Sequence, residues 1–394
     1  MSNFRNWKEL AKSGGLCGIL LLIRPLIYLI FSRQRDMNAY SAIDLSATIF
    51  IIYAFICFFV ALNALSKETT YFSKKLIFST PLIWFIVYTI YGAISIFWSV
   101  NLSLTAFRAF ECMAMILLIV AIMKKLFTTC STEKIINWVI LYVLIEIFIS
   151  IVRTLKWNTN FFVLLESSQM VSTTFFFMAL YYPRKKWYHY LILLMSIFSN
   201  STVAYIGMVI GLISILWKRT KYKAVVVMGV MIFCFSFMVI GPEKVLKQTV
   251  FYDKESISLE ETSGRDHLME VSIETIKENP MGLGFFAGEP YIFYSRGLNS
   301  INAHNSIFSA GIGLGYIGIV IMIMFLLRMF VTVFSKYIPN NNKASLVGCF
   351  IVGFVHCMGN PALGSRVYGA WLPITVLFSL ICSFYVYGKY YKRQ

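Results

Sequence analysis

The sequence predicts an all-α fold, a polytopic membrane protein of about 12 transmembrane helices with one large structured loop on the non-cytoplasmic side. Three observations carry this expectation. Of 394 residues, 58% are hydrophobic and only 13% charged, against about a quarter charged in an average soluble domain. The apolar residues fall in long blocks, such as 47–65 and 224–240, close to the roughly 20 residues a helix needs to cross the hydrocarbon core. Lys and Arg gather in the short segments between blocks, where they orient membrane proteins. The net charge of +17 is therefore a topology signal. No basic stripe interleaved with exposed aromatics marks a nucleic-acid groove, and no nucleic-acid partner is expected.

The first block follows Arg5, Lys8 and Lys12 without a convincing small-residue cleavage site and reads as an uncleaved signal anchor. Apolar blocks set against breakers place spans near 16–31, 43–65, 76–98, 102–123, 135–152 and 161–182, then 188–200, 202–217, 224–240, 306–334, 346–360 and 368–387. The stretch 188–217 could be one long tilted helix or two short ones meeting at Asn200-Ser201. Charge counting favours two. With both termini cytoplasmic, the inward segments hold 21 Lys and Arg, and the short outward loops hold five: Arg33, Arg35, Arg153, Lys156 and Arg366. Merging the pair would put Lys218, Arg219, Lys221 and Lys223 outside, against the bias. The chain then divides into nine spans over 1–240, a non-cytoplasmic loop with short helices over 241–305, and three spans with a cytoplasmic tail over 306–394.

The loop differs in kind from the spans. Between Gly241 and His304 it holds ten acidic and six basic residues, more than half of the chain's 18 carboxylates. A loop of this length with its own structure is usually functional. The eight cysteines form no CxxC pair, and none lies in the loop, which argues against a disulfide framework or a zinc site. No metal is expected.

Within the loop, Ser263-Gly264-Arg265-Asp266 precedes a helical pattern with Met269, Ile273 and Ile276 on one face, ending at Asn279-Pro280. Ser263 fits an N-cap, with Asp266 reaching back. Arg265 then falls in the first turn, where free N–H groups and the helix dipole favour an anion. Pairing of Arg265 with Asp266 or Glu270 is the equally open alternative. Pro280-Met281-Gly282-Leu283-Gly284 lacks the spacing of a nucleotide loop and is expected to redirect the chain toward the membrane. His304 stands at the entrance to the span beginning near Ser306, at headgroup height. It is suited to general-base work or to a hydrogen-bonded anchoring role.

Charges within spans are functional hypotheses. Arg108 and Glu111, three apart on one helix, could pair with each other or touch substrate. Arg24, Glu146, Glu166 and Arg328 have no partner readable from sequence, although Arg24 and Arg328 could snorkel. Arg366 faces the same side as the loop and could join a basic site there.

This order resembles the O-antigen ligase and Wzy-type O-antigen polymerase superfamily. The matching residues are Ser263-Gly264-Arg265, Glu278-Asn279-Pro280-Met281-Gly282-Leu283-Gly284, Ala303-His304-Asn305-Ser306 and Gly313-Leu314-Gly315-Tyr316-Ile317-Gly318. The resemblance implies a metal-independent glycosyltransferase without a cofactor, in the bacterial inner membrane, acting at the periplasmic face on an undecaprenyl-pyrophosphate-linked oligosaccharide. It implies that Arg265 holds the donor's pyrophosphate, that His304 activates the acceptor hydroxyl, and that Asn305 orients substrate. Arg296 and Arg366 are further candidates for the anion. Membrane lipids, a chain-length regulator protein and a flippase are the implied partners. Ligases often carry a Ser-Arg pair where this chain reads Ser199-Asn200-Ser201-Thr202, so Thr202 in place of that arginine favours a polymerase over a ligase. A lipid-linked oligosaccharide flippase or other transporter is the reading from another class, sustained by Arg108 and Glu111.

Overall fold

The computed structural model describes residues 2–31, 45–66, 71–157, 265–298, 302–359, 362–364 and 371–391, together with 210, 211 and 213. Among these the chain is all-helical, with no strand. In order the helices are α1 (Ser2–Ser13), α2 (Gly15–Phe31), α3 (Leu45–Ser66), α4 (Tyr71–Phe78), α5 (Leu82–Ile94), α6 (Leu102–Thr129) and α7 (Thr132–Trp157). After the undescribed stretch come α8 (Arg265–Glu278), α9 (Gly288–Ser295), α10 (Ser306–Phe334), α11 (Asn340–Gly359) and α12 (Trp371–Tyr390). By length and composition four of them, α3, α6, α10 and α12, can cross a membrane, and the bent pair α4–α5 can supply a fifth crossing. The chain is a helical membrane protein.

The expected spans of the first 157 residues and of the last 90 fall on described helices. Those near 161–182, 188–200, 202–217 and 224–240 lie outside the described residues, apart from 210, 211 and 213.

Two local departures have physical causes. Arg5, Lys8 and Lys12 lie in a helix of their own, set off from α2 by Gly15 at φ +66. The expected span 76–98 is broken, with α4 and the Leu82–Trp98 segment meeting at a bend of 71°. Pro81 cannot continue a helix, and the Thr80 hydroxyl both donates to Leu76 O (2.5 Å) and accepts the Leu82 N–H (3.2 Å), satisfying the groups the break frees.

The core centres on α6 and α12. Residues Trp371 to Phe384 of α12 are buried throughout, as expected of a helix that is apolar all round. Phe85 of α5 stacks on Phe325 of α10 (5.2 Å between centroids) and lies 5.7 Å from Trp371, while Phe325 meets Phe378 at 5.9 Å. These rings join α5, α10 and α12. The seven described cysteines are free, and all but Cys130 are buried among the helices.

Four of the intramembrane charges, Arg24, Arg108, Glu111 and Glu146, find partners; Arg328 is exposed, and Glu166 lies outside the described residues. Arg24 of α2, 4% exposed, donates to Glu111 of α6 (3.2 Å), and Arg108 donates to the other oxygen of Glu111 (2.6 Å). On α7 the Tyr142 hydroxyl donates to Glu146 (2.8 Å). Arg24 therefore does not snorkel to the interface. A buried guanidinium is tolerable only when paired and hydrogen-bonded, and Glu111 meets that need from a neighbouring helix, 87 residues away along the chain.

Candidate active site

The site is built on α8, whose buried face is Leu268, Val271, Ser272, Thr275 and Ile276. That spacing is the i, i+3, i+4, i+7, i+8 stripe of an amphipathic helix. The expected face, Met269, Ile273 and Ile276, is one stripe away: Met269 and Ile273 are exposed. Two hydroxyls hid the true face. Ser272 donates to Leu268 O (2.5 Å) and Thr275 to Val271 O (2.7 Å), so small polar residues can line the interior with their hydrogen bonds met within the helix. The face packs in one small core with Ile292, Phe293, Ala303 and Ile312.

Asn279 to Phe286 connects this layer to the spans. Leu283 N–H donates to Ile312 O (2.8 Å), Gly284 N–H to Gly313 O (2.9 Å), and Tyr316 N–H to Pro280 O (3.1 Å). Helix α10 is broken at this point, with Gly315 at φ 64 and ψ −156. The turn thus supplies the partners that a broken span loses. Its other side is bound to the α5–α6 corner. Phe285 N–H donates to Ser95 Oγ (3.0 Å), the Thr105 hydroxyl to Phe285 O (3.1 Å), Val100 N–H to Leu283 O (3.0 Å), and the Trp98 indole to Met281 O (3.0 Å). Since Gly282 N–H also bonds Asn279 O (2.8 Å), the N–H groups of Gly282, Leu283, Gly284 and Phe285 are spent on protein and are not offered to a phosphate. It acts as a clamp between two helix breaks.

The break explains where His304 sits. Tyr316–Phe334, 19 residues or about 28 Å long, has the length of a crossing by itself. Ser306–Leu314 is left to pack with the loop helices, through Phe308 and Ile312. Asn305 caps α10, its Oδ1 accepting Ile307 N–H (2.8 Å) and Phe308 N–H (3.3 Å), while its Nδ2 donates to Met358 O of α11 (2.9 Å). Ser306 Oγ accepts Leu363 N–H (3.1 Å). Half-buried His304 precedes this cap with φ +50 and donates its N–H to Asn302 Oδ1 (3.1 Å). A left-handed histidine is strained backbone, and such strain clusters at functional sites. Asn305→Ala is expected to cost about 1–2 kcal/mol by loss of the cap, seen as a lower melting temperature in detergent.

Glu289, in the first turn of α9, is the group that the sequence did not single out. It is 2% exposed, and its Oε1 accepts both the Ala303 N–H (2.9 Å) and the Ser309 hydroxyl (2.5 Å). Burial pushes its carboxyl up to about 7, against the smaller opposing pull of the Ser309 and Ala303 hydrogen bonds. Tyr88 of α5 is its titratable neighbour. A signal was available: Glu289 is the one carboxylate in the aromatic run Gly284 to Tyr294. Because its folded value lies above the ordinary 4.5, the stability it contributes is complete below about pH 4.5 and is lost as pH rises through 7. Glu289→Gln should therefore gain thermal stability over the parent as pH rises from about 4.5 to about 7, by up to about 3 kcal/mol. A pH series of melting curves checks this.

The remaining candidates are distributed as follows. Arg265 is the first residue of α8, and Leu268, one turn along, shares its core with Ala303, the neighbour of His304. The fold thus brings the two motif segments to one small core. Arg296 lies 3.8 Å from Glu274 and 3.7 Å from Glu278, so its charge is already shared between two α8 carboxylates. Arg108 and Glu111 are in the Arg24 cluster, with Arg108 three residues beyond Thr105, which holds the turn. Arg366 lies outside the described residues; the described segment before it, Ala362–Gly364, docks on Ser306.

A family model described as O-antigen ligase (Wzy_C) matches residues 187–323, a stretch that contains Arg265, Glu289, Arg296, His304, Asn305 and the clamped turn. The match supports the resemblance to the O-antigen ligase and Wzy-type superfamily. None of the curated proteins matches the chain.

Proposed function

We propose that the chain is a polymerase of O-antigen or a related surface polysaccharide, a glycosyltransferase that moves a growing glycan from undecaprenyl pyrophosphate onto a lipid-linked repeat unit at the periplasmic face. The observation that carries this reading is the meeting of two segments of the family match at one core: the helix opened by Arg265, and the left-handed His304 ahead of a capped helix.

In this reading the His304 imidazole takes the proton of the acceptor hydroxyl as that oxygen bonds the donor's anomeric carbon. The anomeric carbon–phosphate oxygen bond breaks, and undecaprenyl pyrophosphate leaves with the electron pair. Arg265 and the N–H groups at the start of α8 receive its charge in this reading. Asn305 contributes by capping and tethering α10, with one amide N–H left over for substrate.

A ligase that transfers finished glycan to lipid A-core is the second reading, favoured by the description of the family model itself; Thr202 in place of an arginine favours the polymerase. A flippase draws less support, because Arg108, Glu111 and Arg24 are engaged with one another. A deletion strain separates the first two. Single repeats on the core are expected, whereas glycan stranded on its lipid carrier would overturn the polymerase in favour of the ligase.

A further inference from the structure

We propose that Glu289 is a positioning residue for His304, stapling the chain on both sides of the histidine to one buried oxygen and so setting where the imidazole is presented. The proposal rests on the reading of His304 as the general base. Ala303 precedes His304, and Ser309 lies in the first turns of α10 beyond it; both donate to Glu289 Oε1. Between these two fixed points the chain adopts its left-handed kink at φ +50.

A non-glycine residue in that conformation costs on the order of 1–2 kcal/mol and persists only where the surroundings over-determine it. Asn302 and the Asn305 cap supply part of that determination. Glu289 ties the kink by hydrogen bonds to α9, the helix that shares a core with α8 and Ala303 through Ile292 and Phe293. Through this link the position of the imidazole is referred to the helix that Arg265 opens.

A carboxylate is a costly choice for a purely packing role at a site 2% exposed. An apolar residue would fill the space without the desolvation cost, but it would leave the Ala303 N–H buried without a partner and release Ser309. The function of the group is therefore to place an acceptor oxygen. Its charge is secondary, since the carbonyl of a glutamine could accept the same two bonds.

The test uses the full-length protein reconstituted in liposomes with undecaprenyl-pyrophosphate-linked repeat units, measuring kcat, KM and the detergent melting temperature. Glu289→Gln keeps the acceptor and should stay within about threefold of the parent kcat. Glu289→Asp keeps the charge but withdraws the oxygen by about 1.5 Å; with Glu289→Ala it should lose about 100-fold in kcat at a KM within about threefold. A merely structural role would lower yield and melting temperature and leave kcat per folded molecule unchanged, and that result for Glu289→Asp overturns the proposal. So does Glu289→Gln being as impaired as Glu289→Asp. If Glu289→Ala does not fold, the order of the other two variants still decides. His304→Ala in the same assay separates the two layers: an active His304→Ala removes the general-base reading and the positioning role with it. An inactive His304→Ala beside a fully active Glu289→Asp removes the positioning role alone.

Discussion

Replacing His304 by alanine is expected to reduce polymer formation by about 10²–10⁴-fold, the usual worth of a positioned general base, with the protein present at its normal level. The structure makes normal accumulation a reasonable demand. Bonds from Asn302, Asn305, Ser306 and Glu289 at this junction meet backbone groups or the Ser309 hydroxyl, and truncating the imidazole leaves these in place. Alanine also removes bulk from a left-handed position without restoring glycine's freedom, so the backbone strain at φ +50 remains and the fold gains little. Arg265→Ala should show a comparable loss for a different reason, since the leaving pyrophosphate would lose its charge-assisted partner. In kinetics, loss of the base should fall on kcat, whereas loss of the arginine should raise KM for the lipid-linked donor as well. Chain-length analysis of products from reconstituted protein reads both. Wild-type polymer from His304→Ala, at equal protein level, would dismiss the imidazole from the chemistry.

Legibility in the sequence followed what each feature depends on. Helix positions were readable because lipid enforces long apolar blocks, and the described helices α2, α3, α6, α10 and α12 fall where those blocks lie. The break at Thr80-Pro81 was not read, although proline announced it, because the apolar block runs on across the bend. The Arg24–Glu111 pair was invisible since its members are 87 residues apart and only packing of α2 on α6 joins them. In the loop, the order Arg265, turn, His304 was readable as a pattern. The buried face of α8 was misplaced by one stripe because Ser272 and Thr275 are polar by type and internal in fact. Glu289 was counted as one acid among ten. Its importance comes from the two donors that converge on it, and convergence is a property of the fold.

The glycines show the same dependence, and they support the second large effect: Gly315→Ala should leave little folded protein. At φ 64 and ψ −156 Gly315 occupies a region essentially closed to other residues, worth about 1–3 kcal/mol of strain. A Cβ there would also overlap the Pro280 carbonyl oxygen. Relief requires the turn to move away, which breaks the bonds from Tyr316 N–H to Pro280 O, Leu283 N–H to Ile312 O and Gly284 N–H to Gly313 O. Each is worth about 1 kcal/mol net and more where a buried group is stranded. The total rivals the 5–15 kcal/mol by which ordinary proteins are stable. Gly297→Ala is the control, because Gly297 has φ +70 but nothing within 4 Å of an added Cβ; it should cost only about 1 kcal/mol. If Gly315→Ala melted no lower than Gly297→Ala, close approach of the turn would not be what the glycine serves. The consequence for function follows from geometry. Without the break, α10 would continue straight from Tyr316 back to Ser306, and His304 at its head would leave the small core it shares through Ala303 with α8. The Gly313-Leu314-Gly315 motif therefore holds the two halves of the site together from about ten residues away along the chain.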